Sequence, residues 1–268
     1  MAHVTAVISI ITPTYHPKPE HLLDAYHSIV RQDLPAGWEW EWIVQEDDEP
    51  DTVSGLLPDD LRIHSGAGRH GGAGVARTIA LGRAHGNLVK VLDGDDMLTD
   101  GALQRDIDVL TAFPDIGWTT SRVIDLLPDG STAGFPYDPS EGRITRGAVL
   151  AHWRAHNYRA QVHPATLCLR RDLLLALGGW MALPASEDTG LLLALDAVAD
   201  GFFTTAAGLL YRKWPGQATS QTAHVDPAER AARMRVIEAR AQVLSETWRL
   251  APASPNTDLL TDRPGSAS

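Results

Sequence analysis

Three aspartates stand close together in the run VLDGDDM: Asp93, Asp95 and Asp96. The residues that lead into them, 87–93, are mostly apolar, which predicts a buried strand with the carboxylates at its carboxyl end. Ligands of open parallel sheets bind at that edge. Carboxylates gathered there repel one another, and a hard divalent cation with oxygen ligands would relieve the repulsion. An acidic turn before a helix is the simpler alternative.

A glycine-rich run, SGAGRHGGAGVART at 65–78, contains the spacing G-x-G-x-x-G at Gly66, Gly68 and Gly71. This spacing, followed at a distance by an acid such as Asp93, is the fingerprint of dinucleotide-binding proteins. The preceding stretch LRIH is, however, short and polar, and two strands and a helix are predicted before it. An NAD-dependent oxidoreductase is therefore only an alternative hypothesis.

Several further side chains follow predicted strands or begin predicted helices. A tyrosine and two acids after the first two strands could stack on and hydrogen-bond a nucleobase, although solvated loops also explain them. An arginine in the helix after the glycines could reach an anion or the carboxylates of the sheet edge. Two acids at a later helix start are explained by the helix dipole alone unless they act on a substrate. These residues are Tyr15, Glu46, Asp47, Arg77, Glu187 and Asp188.

Strand and helix patterns alternate through residues 1–113, which predicts a mainly parallel sheet with helices on both faces. The second half, 114–225, mixes strands and helices, and 226–250 is predicted to contain a charged amphipathic helix. We expect one domain over 1–250. The remaining residues, 251–268, are predicted to be a disordered tail.

Composition narrows the class of protein further. The 268 residues carry a formal net charge of −11, which disfavours a nucleic-acid partner or an anionic membrane surface. Cys168, the one cysteine, lies in an apolar run and is expected to be a buried structural thiol. The apolar runs are too short to span a bilayer and no secretory signal is visible, so we expect a soluble, cytoplasmic protein. Few lysines and abundant alanine suggest a GC-rich bacterial genome.

Together these pieces resemble family 2 of the inverting, nucleotide-sugar-dependent glycosyltransferases. The resemblance covers about residues 6–220 and follows the order TPTY, acidic loop, ART, LDGDD, ED and YRKWPGQATS. LDGDD and ED at this separation are its most specific part. It implies an α/β fold of GT-A type, in which a mainly parallel central sheet is flanked by helices and a mixed α+β second half forms the acceptor side.

The resemblance assigns the first half of the chain, 1–113, to the nucleotide-sugar donor. Pro13, Tyr15 and either Glu46 or Asp47 would hold the nucleoside, and Arg77 would be the helix arginine of the same site. The family usually has D-D-G-S where this chain has QEDDEPD, and A-R-N where it has ART. The choice between the acids, including Asp48, therefore stays open.

The acidic motifs receive metal-binding and catalytic roles from the same resemblance. Asp93 would face the ribose and diphosphate, and Asp95 would bind Mg²⁺ or Mn²⁺, with His224 as a third ligand. Asp188 would be the catalytic base, with Glu187 beside it near the acceptor. His163 could line the acceptor pocket, although a core or surface histidine is the simpler explanation.

The reaction implied is metal-dependent transfer of a sugar from a nucleoside-diphosphate sugar to an acceptor hydroxyl, with inversion at the anomeric carbon. UDP-sugars are the family's commonest donors, while GDP- and dTDP-sugars remain open. We expect a small soluble acceptor, such as a natural-product intermediate. A nucleotidyltransferase on a related sheet and a carbohydrate- or nucleotide-binding module without catalysis are competing hypotheses.

Overall fold

The structure is a computed structural model that describes residues 6–135, 137–214, 217 and 226–248. Its strands are β1 (Ala6–Thr14), β2 (Trp38–Glu46), β3 (Ile63–Ala67), β4 (Leu88–Val91), β5 (Met97–Leu98), β6 (Ile116–Leu126), β7 (Thr132–Gly134), β8 (Gly142–Ile144), β9 (Cys168–Arg170) and β10 (Asp200–Arg212). Its helices are α1 (Pro19–Val30), α2 (Ala73–Leu81), α3 (Ala102–Ala112), α4 (Ala148–Ala155), α5 (Arg171–Ala176), α6 (Glu187–Val198) and α7 (Pro227–Thr247).

All ten of these strands belong to one sheet, in the order β3-β2-β1-β4-β9-β6-β10-β5, with β7 beside β6 and β8 beside β10. Strands β3, β2, β1 and β4 run parallel to one another, and β10 runs parallel to β6. The short strand β9 is antiparallel to both β4 and β6. A mainly parallel first half and a mixed second half were the sequence prediction, and the α/β architecture is confirmed.

Alternation along the strands supplies a core on each face of the sheet. In β1, Ile8 and Ile10 pack on one face while Ile11 packs on the other, because successive strand residues point to opposite sides. Helices α1 and α3 cover the first face, and α2, α4, α6 and α7 cover the second. The prediction of helices on both faces is confirmed. None of the described helices is long and apolar enough to cross a membrane.

The predicted third strand is displaced towards the glycine run. It was expected at 61–64, but β3 occupies Ile63–Ala67 and Gly66 pairs with Gln45 of β2. Because β3 pairs in parallel with β2 as far as Ala67, the extended backbone continues into the glycine run. This strand is at the outer edge of the sheet. Gly66 is therefore part of an edge strand rather than of a strand-to-helix turn.

A buried ion pair involves Lys90, three residues before Asp93 in the same strand-and-loop segment. The ammonium group of Lys90 in β4 is 2.7 Å from a carboxylate oxygen of Asp106 in α3 and donates to the carbonyl of Thr166 at 2.7 Å. The second oxygen of Asp106 accepts from the hydroxyl of Thr119 at 2.6 Å. Because both charges are buried and hydrogen-bonded, this pair fixes β4 against α3 and β6.

Removing one partner of this pair should destabilise the fold strongly. Asp106→Ala leaves a buried ammonium without its counter-charge, so we expect the free energy of unfolding to fall by about 3–5 kcal/mol. Chemical denaturation measures the change, with Asp108→Ala on the exposed side of the same helix as control. The double variant Lys90→Met, Asp106→Leu should recover most of the loss. A single variant as stable as the control would contradict the assigned pairing.

Candidate functional site

A buried arginine joins the two acidic motifs. Arg77 of α2 places one terminal nitrogen 2.5 Å from Asp93, just after β4, and the other 2.7 Å from Glu187, the first residue of α6. Its side chain is only 5% exposed. Burial opposes the charged form of this guanidinium, but the carboxylates of Asp93 and Glu187 outweigh burial and raise the pKa of Arg77. The expectation that it reaches the carboxylates of the sheet edge is met.

The close approach of α2 to α6 depends on a glycine that the fingerprint does not include. A Cβ atom on Gly74 would lie 2.5 Å from the carbonyl oxygen of Met181 and 3.0 Å from the side chain of Glu187. Those distances are below van der Waals contact, so no other residue fits without displacing backbone. Gly74 thus permits the bridge that Arg77 makes one turn later.

The three clustered aspartates have different surroundings. Asp93 is partly exposed and pairs with Arg77, whereas one carboxylate oxygen of Asp95 accepts from the indole nitrogen of Trp214 at 2.7 Å. Asp96 is fully buried and accepts from the backbone nitrogen of Arg212 at 2.8 Å. Asp96 therefore ties the motif to β10, and the other two remain the carboxylates that a ligand could reach.

Burial also sets the protonation behaviour of this motif. It raises the pKa of Asp95, and the charge of Asp93 adds to this, although the hydrogen bond from Trp214 opposes it. Burial followed by the charges of Asp93 and Asp95 raises the pKa of Asp96 well above its ordinary value. Burial and mutual repulsion thus make full ionisation of the motif unfavourable, and a nearby cation would relieve this.

Arg212, the last residue of β10, and Trp214, just after that strand, also contact the aspartate motif. Arg212 donates to the carbonyl of Asp95 at 2.8 Å and to the carboxylate of Asp24 at 2.7 Å. The ring of Trp214 lies under the ammonium group of Lys18, 4.3 Å from its centroid. Trp214 stands where the resembled family often has a histidine, and here it serves as a hydrogen-bond donor to Asp95.

The predicted nucleoside residues line the neighbouring part of the sheet edge. Pro13 lies in β1, and Tyr15 follows that strand directly with 49% of its surface exposed. The ring of Tyr15 is 4.7 Å from that of His70, which lies within hydrogen-bonding distance, 3.0 Å, of the carboxylate of Asp47. Tyr15 and His70 thus form an aromatic pair at the mouth of the loop, and sequence analysis did not single out His70.

Both acids at the end of β2 accept hydrogen bonds from the backbone of other residues. Glu46 accepts from the backbone of Thr52 and Val53 at 2.6 and 2.9 Å, so it shapes its own loop. Asp47 accepts from the amides of Gly71 and Gly72, both at 2.8 Å. Both carboxylates are thus hydrogen-bonded within the chain. Their contact with a nucleobase stays a prediction.

Asp47 also bears on the dinucleotide-binding hypothesis. In that hypothesis the amides at the helix start bind a pyrophosphate. Here the carboxylate of Asp47 already accepts from Gly71 and Gly72, and Gly66 lies in an edge strand. The geometry therefore does not support an NAD-dependent oxidoreductase.

Asp188, the predicted base, is a partly buried carboxylate beside the Arg77 bridge. Its oxygen accepts from the backbone nitrogen of Thr189 at 2.5 Å. Burial raises the pKa of Asp188, although Arg77 and the bonds from Thr189 act in the opposite direction. Burial and the charge of Asp188 likewise raise the pKa of Glu187. A carboxylate with a raised pKa accepts a proton more readily than an ordinary one.

Tyr211, which was not identified by sequence analysis, lies beside the aspartate motif, because the backbone nitrogen of the next residue, Arg212, donates to Asp96. It is the penultimate residue of β10 and pairs with Asp125 of β6. Burial is the main reason why the pKa of Tyr211 is raised. Four carboxylates add to the effect: Asp93, Asp96, Asp95 and Asp188. Its sequence signal was its place in YRKW at the end of a strand.

Two of the three predicted metal ligands, Asp93 and Asp95, lie in the described part of the chain. His224 lies outside the described residues. Within the described part of the chain, no three His, Cys, Asp or Glu side chains form a group that could hold a metal ion. Asp93 and Asp95 remain as two hard oxygen donors on one motif, and their role as ligands stays a prediction.

Comparison with known proteins identifies the segment that carries most of this geometry. Residues 9–134 match the model of the family described as glycosyl transferase family 2. The likeness to that family extends over just under half of the chain. The family 2 resemblance expected from the motifs is confirmed, and the match includes the strands that lead to Tyr15, Glu46 and Asp93.

A protein named as a glycosyltransferase is also among the relatives of this chain. Bacillus subtilis (strain 168) TuaG, provisionally named as a teichuronic acid biosynthesis glycosyltransferase, is 32% identical over 115 residues. That match spans 41% of this chain and 44% of TuaG, so it covers less than half of either protein.

Solved structures extend the likeness in fold beyond the matched segment. S. aureus TarS 1–349 in complex with UDP-GlcNAc has a TM-score of 0.69 at 19% identity, over 89% of this chain and 70% of that one. TarS 1–349 with UDP has a TM-score of 0.63 at 18% identity, over 89% and 69%. At this identity the likeness shows the fold, and the GT-A type is confirmed.

Two glycines of the same run should respond differently to alanine. Helix propensity alone favours alanine at Gly74, yet the contact with Met181 leaves no space, so Gly74→Ala should destabilise the protein by about 1–3 kcal/mol. At Gly68 a Cβ would make only ordinary contacts, and Gly68→Ala should stay within about 1 kcal/mol of the parent. Thermal and chemical unfolding provide the comparison. The reverse ranking would mean that the fingerprint glycine, and not Gly74, sets the local packing.

Proposed function

We propose that this chain is an inverting glycosyltransferase that moves a sugar from a nucleoside-diphosphate sugar to an acceptor hydroxyl. The observation that carries the proposal is the buried bridge from Asp93 through Arg77 to Glu187. This bridge joins Asp93, an acid expected to face the donor, to Glu187, which is expected to lie near the acceptor. The donor and acceptor parts of the site are therefore adjacent. A transfer reaction needs that juxtaposition, because its two substrates must meet at one carbon atom.

Asp93 and Asp95 would hold the divalent cation, Mg²⁺ or Mn²⁺. Two carboxylates fit such an ion, which is usually bound by few protein ligands and completes its shell with water and substrate phosphates. Bound there, the ion would offset the negative charge that develops on the departing diphosphate. Arg77 orients Asp93 through its hydrogen bond, while Trp214 positions Asp95.

Asp188 would act as the base. An oxygen of the acceptor attacks the anomeric carbon, the bond from that carbon to the diphosphate breaks, and the hydroxyl proton passes to the carboxylate. Attack from the face opposite the leaving group inverts the anomeric configuration. The burial that raises the pKa of Asp188 makes this transfer more favourable than for an exposed aspartate.

The donor is proposed to be a UDP-sugar. The support is the likeness in fold to TarS, whose solved structures hold UDP-GlcNAc and UDP, together with the aromatic pair of Tyr15 and His70 at the predicted nucleoside site. The small soluble acceptor and the cytoplasmic location stay predictions from the sequence.

Replacing the base should separate transfer from binding. Asp188→Asn keeps the shape but accepts no proton, so we expect kcat to fall by about 10²–10⁴-fold while the Kd for UDP with Mn²⁺ changes by less than about twofold. Asp172→Asn, an exposed acid at the start of α5, is the matched control for a helix-dipole effect. Near-normal turnover of Asp188→Asn would refute the assignment.

The pH dependence gives the same residue a second test. A base must be deprotonated to act, so kcat/KM should fall as pH drops through its pKa. Because burial raises the pKa of Asp188, the acid limb should lie above the ordinary aspartate value of 3.8. A pH–rate profile with the limb at or below that value would contradict the proposed role.

The metal and the nucleotide can be tested together by thermal shift. UDP, GDP, dTDP and NAD are compared, each with and without Mn²⁺, because a ligand raises the unfolding temperature by mass action. We expect stabilisation by a nucleoside diphosphate with Mn²⁺ only, and its loss in Asp95→Ala but not in Asp100→Ala, an exposed neighbour. Stabilisation by NAD without metal would overturn the proposal.

A further inference from the structure

A rigid histidine stands next to the predicted catalytic edge. The Nδ1 atom of His163 accepts from the backbone nitrogen of Ala165 at 3.3 Å, and its carbonyl accepts from the backbone of Thr166 at 3.1 Å and from its hydroxyl at 2.7 Å. A ring nitrogen that accepts a hydrogen bond carries no proton, so the proton of the neutral ring is on Nε2. Burial lowers the pKa of His163 to about 4, which keeps the ring neutral near pH 7.

The tyrosine described above lies beside this histidine. The ring centroids of His163 and Tyr211 are 5.1 Å apart. The raised pKa of Tyr211 keeps its hydroxyl protonated. Both residues are partly buried, and no hydrogen bond to another described residue is formed by His163 Nε2 or by the Tyr211 hydroxyl. Two neutral donors thus lie beside the aspartate motif.

Most of the charges around this pair are negative, although the ammonium group of Lys213 lies 4.2 Å from the centroid of the Tyr211 ring. The nearby cations are already paired with acids. Arg77 is paired with Asp93 and Glu187, and Lys213 lies 3.3 Å from Asp125. A carboxylate placed here would meet several acids and, in the described part of the chain, no unpaired cation close to them. A neutral group with oxygen atoms would instead accept from both donors.

We propose that His163 and Tyr211 bind the sugar that is transferred, and that this sugar is uncharged, a neutral hexose or N-acetylhexosamine rather than a uronic acid. The inference rests on the proposed function, which places the donor diphosphate at Asp93 and Asp95 and the base at Asp188. The transferred sugar is attached to that diphosphate, so it must lie close to the aspartate motif, beside which the two donors are held. His163 and Tyr211 are specificity-determining residues in this assignment.

Two substitutions of the histidine separate donation from structure. His163→Asn keeps an acceptor near Nδ1 for the amide of Ala165 but has no donor at the position of Nε2. His163→Gln places an amide donor close to the position of Nε2. Tyr211→Phe removes only the hydroxyl. The matched readouts are the Kd values of UDP and of UDP-sugars with Mn²⁺, together with the unfolding temperature.

The wild-type chain should bind UDP-glucose or UDP-N-acetylglucosamine more tightly than it binds UDP. It should bind UDP-glucuronic acid at least about tenfold more weakly than the tighter-binding of these two neutral UDP-sugars. His163→Asn and Tyr211→Phe should each weaken the UDP-sugar by about fivefold to tenfold and leave UDP within about twofold, since each removes one hydrogen bond. His163→Gln should retain most of the affinity for the sugar.

Each contrary result has a distinct meaning. Equal weakening of UDP and UDP-sugar in His163→Asn and Tyr211→Phe would show a structural role and overturn the sugar subsite. Tightest binding of UDP-glucuronic acid would overturn the neutral-sugar assignment. Failure of the wild-type chain to bind UDP with Mn²⁺ would overturn the proposed UDP donor, and the subsite with it.

Discussion

The candidate site depends on one buried guanidinium. Arg77 can be buried only because Asp93 and Glu187 both pair with it, since an unpaired charge in that position is costly by several kcal/mol. The three groups lie on α2, after β4 and at the start of α6, so the elements cannot separate without exposing or stranding a charge. The cost of burial thereby fixes the distance between the two acidic motifs, and Gly74 gives α2 the space to approach.

The remaining acids of the edge are held by the chain's own donors. Asp47 is fixed by two amides at the start of α2, and Asp95 is fixed by Trp214. Carboxylates that are positioned before a ligand arrives lose little freedom on binding, which favours both affinity and catalysis. The same arrangement explains why the glycine run does not behave as a dinucleotide fingerprint, because its amides already bind an internal anion.

Local sequence patterns predicted the alternating strands and helices and the layered fold, because side-chain periodicity and β-branched composition act over a few residues. They also indicated that Arg77 could reach the edge carboxylates. They could not predict the role of Tyr211, because this residue lies more than a hundred positions after the aspartate motif. Its surroundings depend on the pairing of β10 with β6. The partners of Asp47 were equally hidden, because an acid in a loop carries no sign of the helix it caps.

Sequence likeness and fold likeness cover different parts of this chain. The family model matches residues 9–134, whereas the likeness in fold to TarS extends over 89% of the chain. Asp188, His163 and Tyr211 all lie beyond the matched segment. A nucleoside diphosphate and a metal make the same demands on every member that uses them, but the transferred sugar and the acceptor differ. Selectivity for the transferred sugar therefore depends on side chains of the second half, where the neutral His163 and Tyr211 lie near carboxylates.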